Sequence, residues 1–249
     1  MKPSFTILEL VIVIIIIGIL ISTISISIPN NHLRIAADNL AKNIRFAESL
    51  ALKDDKYQPF PKNNTSKEQN RSKYWFKQWW QVRFSTFNSN GQTHYWYEIF
   101  TDVPSKYKTK NFTAQANLPT NAWQVSIAKN PLDNKLMIGH CGVSHYPNCD
   151  QTDQQLDLTK SYGIKKLKFT NFYSHSPRLV FDNYGNVFLK EGQDGDAGDT
   201  NPVDKNNRIV LTQNANIKLC LDNPCKYQKD RCLQVNITPN GYVFISKCN

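Results

Sequence analysis

The 249-residue sequence has no nucleophile elbow, no phosphate-binding glycine loop, no His-Glu-x-x-His metalloprotease helix and no dinucleotide fingerprint. The usual hydrolase, nucleotide and redox machineries are therefore unrepresented. Its five histidines are scattered, and the reading is that the chain is not an enzyme. There is no repeat period and no composition break marking a second globular domain. No cysteine precedes Cys141; all six, Cys141, Cys149, Cys220, Cys225, Cys232 and Cys248, fall in the C-terminal part. Acids are short: 20 Asp and Glu face 30 Lys and Arg, for a net charge of +10. That favours acidic partners such as nucleic acid, anionic lipid or another subunit, without choosing among them. A hydrophobic share of 40% excludes disorder over the full length. The mean hydropathy of −0.50 nevertheless averages two unlike pieces.

The first piece is apolar. From Leu10 to Ile21 every residue but Gly18 is a large aliphatic, and Ile24, Ile26 and Ile28 continue the pattern until Pro29 closes it. As a helix, residues 5–28 would span about 36 Å, enough to cross a ~30 Å hydrocarbon layer with some tilt. A cleaved secretory signal with Lys2 as its charged end is the rival, but no small-x-small site ends the run. Glu9 is the informative residue. A carboxylate at mid-membrane costs roughly 2.5 kcal/mol or more, and the positions at i+3 and i+4 hold Ile12 and Val13 rather than a base. Its partner is expected at the chain's own terminus, a lipid headgroup or another subunit.

The stretch Lys2-Pro3-Ser4-Phe5-Thr6-Ile7-Leu8-Glu9-Leu10-Val11 with its aliphatic run resembles the class III leader of type IV pilins and type II secretion pseudopilins. The resemblance implies a leader over residues 1–4, cut by a prepilin peptidase between Ser4 and Phe5, and methylation of the new Phe5 amine. It also implies a single-pass inner-membrane segment over residues 5–28 and an exported head. Phe5 and Glu9 become the assembly pair, the amine of one subunit meeting the carboxylate of the next and offsetting the burial of both. The family normally has Gly where this chain has Ser4, a departure that bears on processing. The partners implied are other pilin or pseudopilin subunits, the peptidase and the inner membrane.

The second piece opens with Leu33, Ala36, Ala37, Leu40, Ile44, Ala47, Leu50 and Ala51 at helical spacing, with Arg34, Asp38, Lys42, Arg45 and Glu48 between them. This pattern predicts an amphipathic helix over residues 30–55. Joined to the apolar run it would make one long N-terminal helix. Residues 39–51 also resemble the corresponding helix of FimT-type minor pilins and H-type pseudopilins. Residues 56–249 read as a β-rich head. A Pro- and Asn-rich loop leads to aromatic strands over 74–84 and 95–100, joined through Asn88-Ser89-Asn90-Gly91 by a longer hairpin loop. Further short strands are expected at 123–127, 164–172, 179–181, 187–189, 209–211 and 217–221, with a terminal hairpin. The fold class is thus α+β, a pilin-like long helix packed on an antiparallel sheet.

The last hairpin can be placed by arithmetic. A three-residue loop at Pro239-Asn240-Gly241 makes facing residues sum to 480, and Cys232 with Cys248 does so. Cys141–Cys149 is the next local pair and Cys220–Cys225 follows by elimination, among fifteen formal connectivities for six cysteines. Bridges imply export to an oxidising compartment.

Three further patterns carry candidate chemistry. His140, Cys141, His145 and Cys149 are zinc-ligand types at a spacing that fits no common finger. Glu191, Asp194, Asp196 and Asp199 lie on a Gly-rich loop without a base; they could wrap one calcium, although a solvated acidic turn is the favoured reading. Finally, residues 53–110 carry eleven bases against five acids. Trp75, Lys77, Trp79 and Arg83 alternate onto one strand face, where exposed they would bind nucleic acid by stacking and phosphate contact; burial of the tryptophans under neighbouring chain is the favoured competitor. Some FimT-type pilins bind DNA through a basic tail with Arg after the hairpin glycine, but Tyr242 stands there in this chain. The functional expectation is a minor pilin or pseudopilin that assembles into, or primes, a type IV pilus or type II secretion pseudopilus. The alternative is an anchored minor pilin that captures extracellular DNA.

Overall fold

The computed structural model describes residues 7–23, 31–54, 59–65, 69, 72, 79–89, 91–101, 127–142, 147–172, 177–190, 208–228 and 230–248. The chain divides into two units, residues 1–31 and 32–249. The first holds helix α1, Ile7–Thr23. The second begins with α2, His32–Lys53, and continues as β1 Trp80–Ser89, β2 Gln92–Thr101, the short helix α3 Leu158–Tyr162, β3 Lys166–Thr170, β4 Arg178–Phe181, β5 Val187–Lys190, β6 Arg208–Val210, β7 Ala215–Cys220, β8 Cys232–Ile237 and β9 Val243–Lys247.

Two expectations are corrected. The single long N-terminal helix is not found: α1 and α2 are separate elements. At 17 residues, α1 is only about 25 Å long at a rise of ~1.5 Å per residue, short of a ~30 Å hydrocarbon layer. No helix among the described residues is long and apolar enough to cross a membrane. The aliphatic run yields to Ser22 and Thr23 where α1 ends, and a helix carried on through Pro29 would lack a backbone donor there. Residues 24–30 lie outside the described residues. The expected single sheet is also replaced by two antiparallel ones, a five-stranded sheet in the order β2-β1-β4-β5-β6 and a four-stranded sheet in the order β3-β7-β8-β9.

Helix α2 follows its sequence pattern. Leu33, Ala36, Ala37, Leu40, Ala41, Ile44, Ala47 and Ala51 are buried along one stripe, and the helix touches strands of both sheets. Val82, Phe84, Tyr97, Ile99, Leu179 and Phe181 of the first sheet join Ile217, Leu219, Val235, Ile237 and Val243 of the second in the same core. Fully burying a Leu or Ile side chain contributes about 1.5–3 kcal/mol, so this stripe is a principal source of the fold's stability. Polar contacts fix its rotation. Asn39 donates to the Tyr162 hydroxyl at 2.7 Å and Asn43 to the Tyr97 hydroxyl at 2.8 Å, one helical turn apart. Arg45 donates to the Val243 carbonyl at 2.5 Å, and Trp80 Nε1 to Asp54 at 2.9 Å.

The β1–β2 hairpin is tighter than expected. Ser89 faces Gln92, leaving two residues between them, and Gly91 takes the left-handed conformation at φ 75°. An Asn-Gly pair is the standard two-residue solution for such a turn. Of the expected strand at 123–127 only Ile127 is described, as a bridge to Phe100.

Beyond β2, residues 127–139 run back along the free edge of that strand through bridges Phe100 to Ile127 and Glu98 to Ile138. Gly139 closes this return. Its N–H donates to the Tyr97 carbonyl at 3.1 Å, and a Cβ there would collide with the Leu156 carbonyl and lie 2.6 Å from Asp157 N. Gly139→Ala is therefore expected to cost about 1–3 kcal/mol, the usual penalty for overpacking against groups that cannot yield. Urea unfolding should show a lower midpoint with an unchanged slope.

Candidate functional site

In α1, residues 7–17 are all exposed, with aliphatic side chains ranging from 44% exposed at Val13 to 84% at Ile7. The helix is apolar on every side, and its only charged residue is Glu9, in the first turn. There the unpaired N–H groups of the helix end favour a negative charge. Ser4 and Phe5, the expected processing bond, lie outside the described residues.

Three cysteine pairs sit at bonding distance: Cys141 with Cys149, Cys220 with Cys225, and Cys232 with Cys248. They are the pairs that spacing and hairpin arithmetic point to. The hairpin register is Ile237 facing Val243 and Leu233 facing Lys247, with the left-handed residue at Gly241, φ 82°. A disulfide between Cys141 and Cys149 removes two thiolates from the expected His140, Cys141, His145 and Cys149 zinc set; His145 lies outside the described residues. So does the acidic loop of Glu191, Asp194, Asp196 and Asp199, the candidate calcium site.

The second and third bridges share one end of the four-stranded sheet. Cys220 faces Cys232 across β7 and β8, and their sulfurs are 3.6 Å apart although they belong to different bridges. On the same outer face Lys168 is opposite Lys218. Both ammonium groups lie over the Tyr227 ring, at 5.2 and 4.5 Å from its centroid. Lys168 also donates to the Tyr227 hydroxyl at 2.9 Å, which holds that phenol below the usual tyrosine range.

The expected nucleic-acid face on β1 is corrected at Arg83. Val82 and Phe84 enter the core as expected, but Gln81 and Arg83 on the other face are buried too, at 0% and 5% exposure. Arg83 forms an ion pair with Glu98, its direct cross-strand neighbour, and its guanidinium lies over the Phe100 ring at 5.6 Å. Residues 127–139 pair along the free edge of β2, and Ile127, Leu136 and Ile138 cluster with Trp96 and Phe100 of this face. Desolvated and paired, Arg83 has no reach to a phosphate. Trp79 is half-buried and packs on Phe188 with ring centroids 4.9 Å apart. Trp75 and Lys77 lie outside the described residues.

A feature absent from the sequence expectations sits beside that pair. His94 stacks on Phe87 at 4.6 Å, His140 lies 4.3 Å from the same ring and stacks on Trp96 at 5.3 Å. Asp157 Oδ2 is 4.0 Å from His94 Nδ1, while its other oxygen accepts from Lys160 N at 2.9 Å and starts α3. Burial pushes the His140 imidazole below its ordinary range, partly opposed by Asp157. The same burial pushes the Asp157 carboxyl up. With His94 on β2 and His140 outside any strand, no spacing signal could reveal this cluster in advance.

The His140 shift has a sign that can be measured. The unfolded chain takes up a proton near the ordinary histidine pKa of about 6.5, whereas the folded chain resists until lower pH. Neutral His140 therefore contributes stability that is full above that value and is lost as pH falls through it. Denaturation at pH 7.5 and pH 5.5 is expected to show a smaller loss for His140→Gln than for the parent chain. An equal loss in both would show that His140 does not titrate with unfolding.

Compared with known proteins, the chain matches no family model, no curated protein and no solved structure at a significant level.

Proposed function

We propose that the chain is an exported filament subunit, a minor pilin or pseudopilin that assembles into, or primes, a type IV pilus or type II secretion pseudopilus. The observation that carries this reading is α1: a helix apolar all round and exposed along residues 7–17, with a single carboxylate at Glu9 in its first turn. Such a helix removes its surface from water by packing among like helices. The leader-like residues before it, Lys2 to Thr6, supply a cut that would give Phe5 a charged amine within reach of a neighbour's Glu9. The paired cysteines support a head that works in an oxidising compartment. The reading needs α1 as an assembly helix and does not need it to span a bilayer.

Mass spectrometry of the mature N-terminus, from cells that hold a prepilin peptidase, is expected to find methylated Phe5 as the first residue. Glu9→Ala is expected to reduce incorporation into filaments by at least about tenfold, since breaking a buried charge pair costs about 3–5 kcal/mol. Melting of residues 32–249 should be unchanged. Normal incorporation of Glu9→Ala would remove Glu9 from the mechanism.

A second reading, binding of single-stranded nucleic acid, is favoured by the Lys168, Lys218 and Tyr227 group on the outer face of the four-stranded sheet. Aromatic stacking flanked by ammonium groups is the chemistry of such sites. If it operates, the salt dependence of oligonucleotide binding should flatten in Lys168→Ala/Lys218→Ala by about 1.4 in log–log slope, at ~0.7 for each phosphate left unneutralised. Salt-independent binding of the parent chain would reject it.

A further inference from the structure

The sulfurs of Cys220, Cys225 and Cys232 all lie within 4.8 Å of one another, and Cys232 is bonded to the fourth, Cys248. Three elements bring them together: the end of β7, the start of β8 and the residue after β9, with Cys225 on the connection between β7 and β8. We propose that, when reduced, these four cysteines form a tetrathiolate site for one zinc ion. Two disulfides and a zinc centre are then alternative states of one sulfur cluster. The proposal does not rest on the filament reading.

The geometry between bridges supports it. With Zn–S bonds of about 2.3 Å, the sulfurs of a tetrahedral site are about 3.8 Å apart along each edge. Two of the four separations across the bridges are 3.6 Å for Cys220 to Cys232 and 3.7 Å for Cys225 to Cys232. The bonded pairs have Cα separations of 5.4 and 5.7 Å, close enough that side-chain rotation alone can open each sulfur pair to a tetrahedral edge. Cys220 and Cys232 are buried and Cys225 is half-buried, so the site is closed to water on its sheet side, as structural zinc sites are.

The charge around the cluster fits the same state. Zinc with four thiolates carries two negative charges. Each cysteine has a base beside it: Lys226 follows Cys225, Arg231 precedes Cys232 and Lys247 precedes Cys248. Lys166 faces Cys220 across β3 and β7. Of the two acids nearest in sequence, Asp222 and Asp230, Asp222 is held by Arg231 through two hydrogen bonds of 2.6 and 2.9 Å. With Arg231 taken up by Asp222, the lysines remain as an excess of positive charge that favours a dianionic complex.

The chemistry balances with a phosphine as reductant. Each of two phosphine molecules takes an oxygen from water and is oxidised to its oxide. Each supplies two electrons and leaves two protons, so both S–S bonds break and four thiols form. Zinc then displaces the four thiol protons to solvent.

The test uses the full chain, reduced with a phosphine, desalted without oxygen and titrated with zinc chloride. One equivalent is expected to bind. Cobalt chloride in its place should give the thiolate-to-cobalt charge-transfer absorption of a four-sulfur site. Cys225→Ser is expected to weaken zinc binding by at least about tenfold and to lose part of that absorption, while Cys141→Ser/Cys149→Ser should bind one equivalent like the parent. Zinc should return the reduced chain to the circular dichroism of the oxidised one. The proposal is overturned if the reduced chain takes up no stoichiometric metal, or if it stays unfolded with one equivalent of zinc. Equal binding by Cys225→Ser, or loss of binding on removing Cys141 and Cys149, would overturn it as well.

Discussion

The two sheets of residues 32–249 depend on one surface, the stripe of α2 that runs from Leu33 to Ala51. Its buried positions are mostly alanine, at Ala36, Ala37, Ala41, Ala47 and Ala51, and Leu40 and Ile44 stand among them with no exposure at all. Small residues let backbone approach backbone, and the two larger side chains fill the space where both sheets meet the helix. The asparagines at the stripe's edge make that fit specific: Asn39 and Asn43 reach Tyr162 and Tyr97 on different elements. Rotating α2 by one residue would leave two buried phenols without donors and turn lysine and arginine inward. Apolar packing supplies the energy here, and a few hydrogen bonds select one docking angle.

The outer face of the first sheet obeys another constraint. Arg83 and Glu98 are buried there, and a charge so placed must be compensated, because taking an ion out of water costs several kcal/mol. Arg83 and Glu98 meet this by facing each other directly across β1 and β2. Arg178 faces Arg83 on the other side, in β4, and is itself 1% exposed. A strand that alternates polar and apolar residues thus has two covered faces, and its bases belong to the structure instead of to a ligand.

This explains why the α2 stripe and the terminal hairpin are legible in the sequence and the β1 face is not. The α2 stripe rests on a local period, and the Cys232–Cys248 pairing rests on a hairpin whose loop length the sequence states. The same arithmetic applies at β1–β2: an Asn90-Gly91 turn makes facing residues sum to 181, and Arg83 with Glu98 does so. A loop taken as longer hides the pair. The burial of that pair on a face that alternation marks as polar is set by tertiary packing, which no strand period encodes. The division into two sheets is non-local in the same way, since β3 skips past β4, β5 and β6 to join β7. The joined N-terminal helix fails for a nearer reason: hydrophobicity alone would carry it on past Thr23 to a proline at position 29, which supplies no backbone donor.

The two units differ in what becomes of their apolar surface. In residues 32–249 the chain supplies its own cover, and where the core thins at the C-terminal edge it adds a covalent tie. β9 is an edge strand of five residues ending in exposed Lys247, the kind of segment that frays. The bond from Cys232 to Cys248, 16 residues apart in sequence, closes a loop whose entropy in the unfolded chain is worth about 3 kcal/mol. It also sits just past the last pair of the ladder, where fraying would begin. In α1 no side chain from 7 to 17 is buried, and a helix of such composition gains nothing from facing water. Residues 32–249 are thus stabilised from within, by a core shared between two sheets and a covalent tie where that core ends.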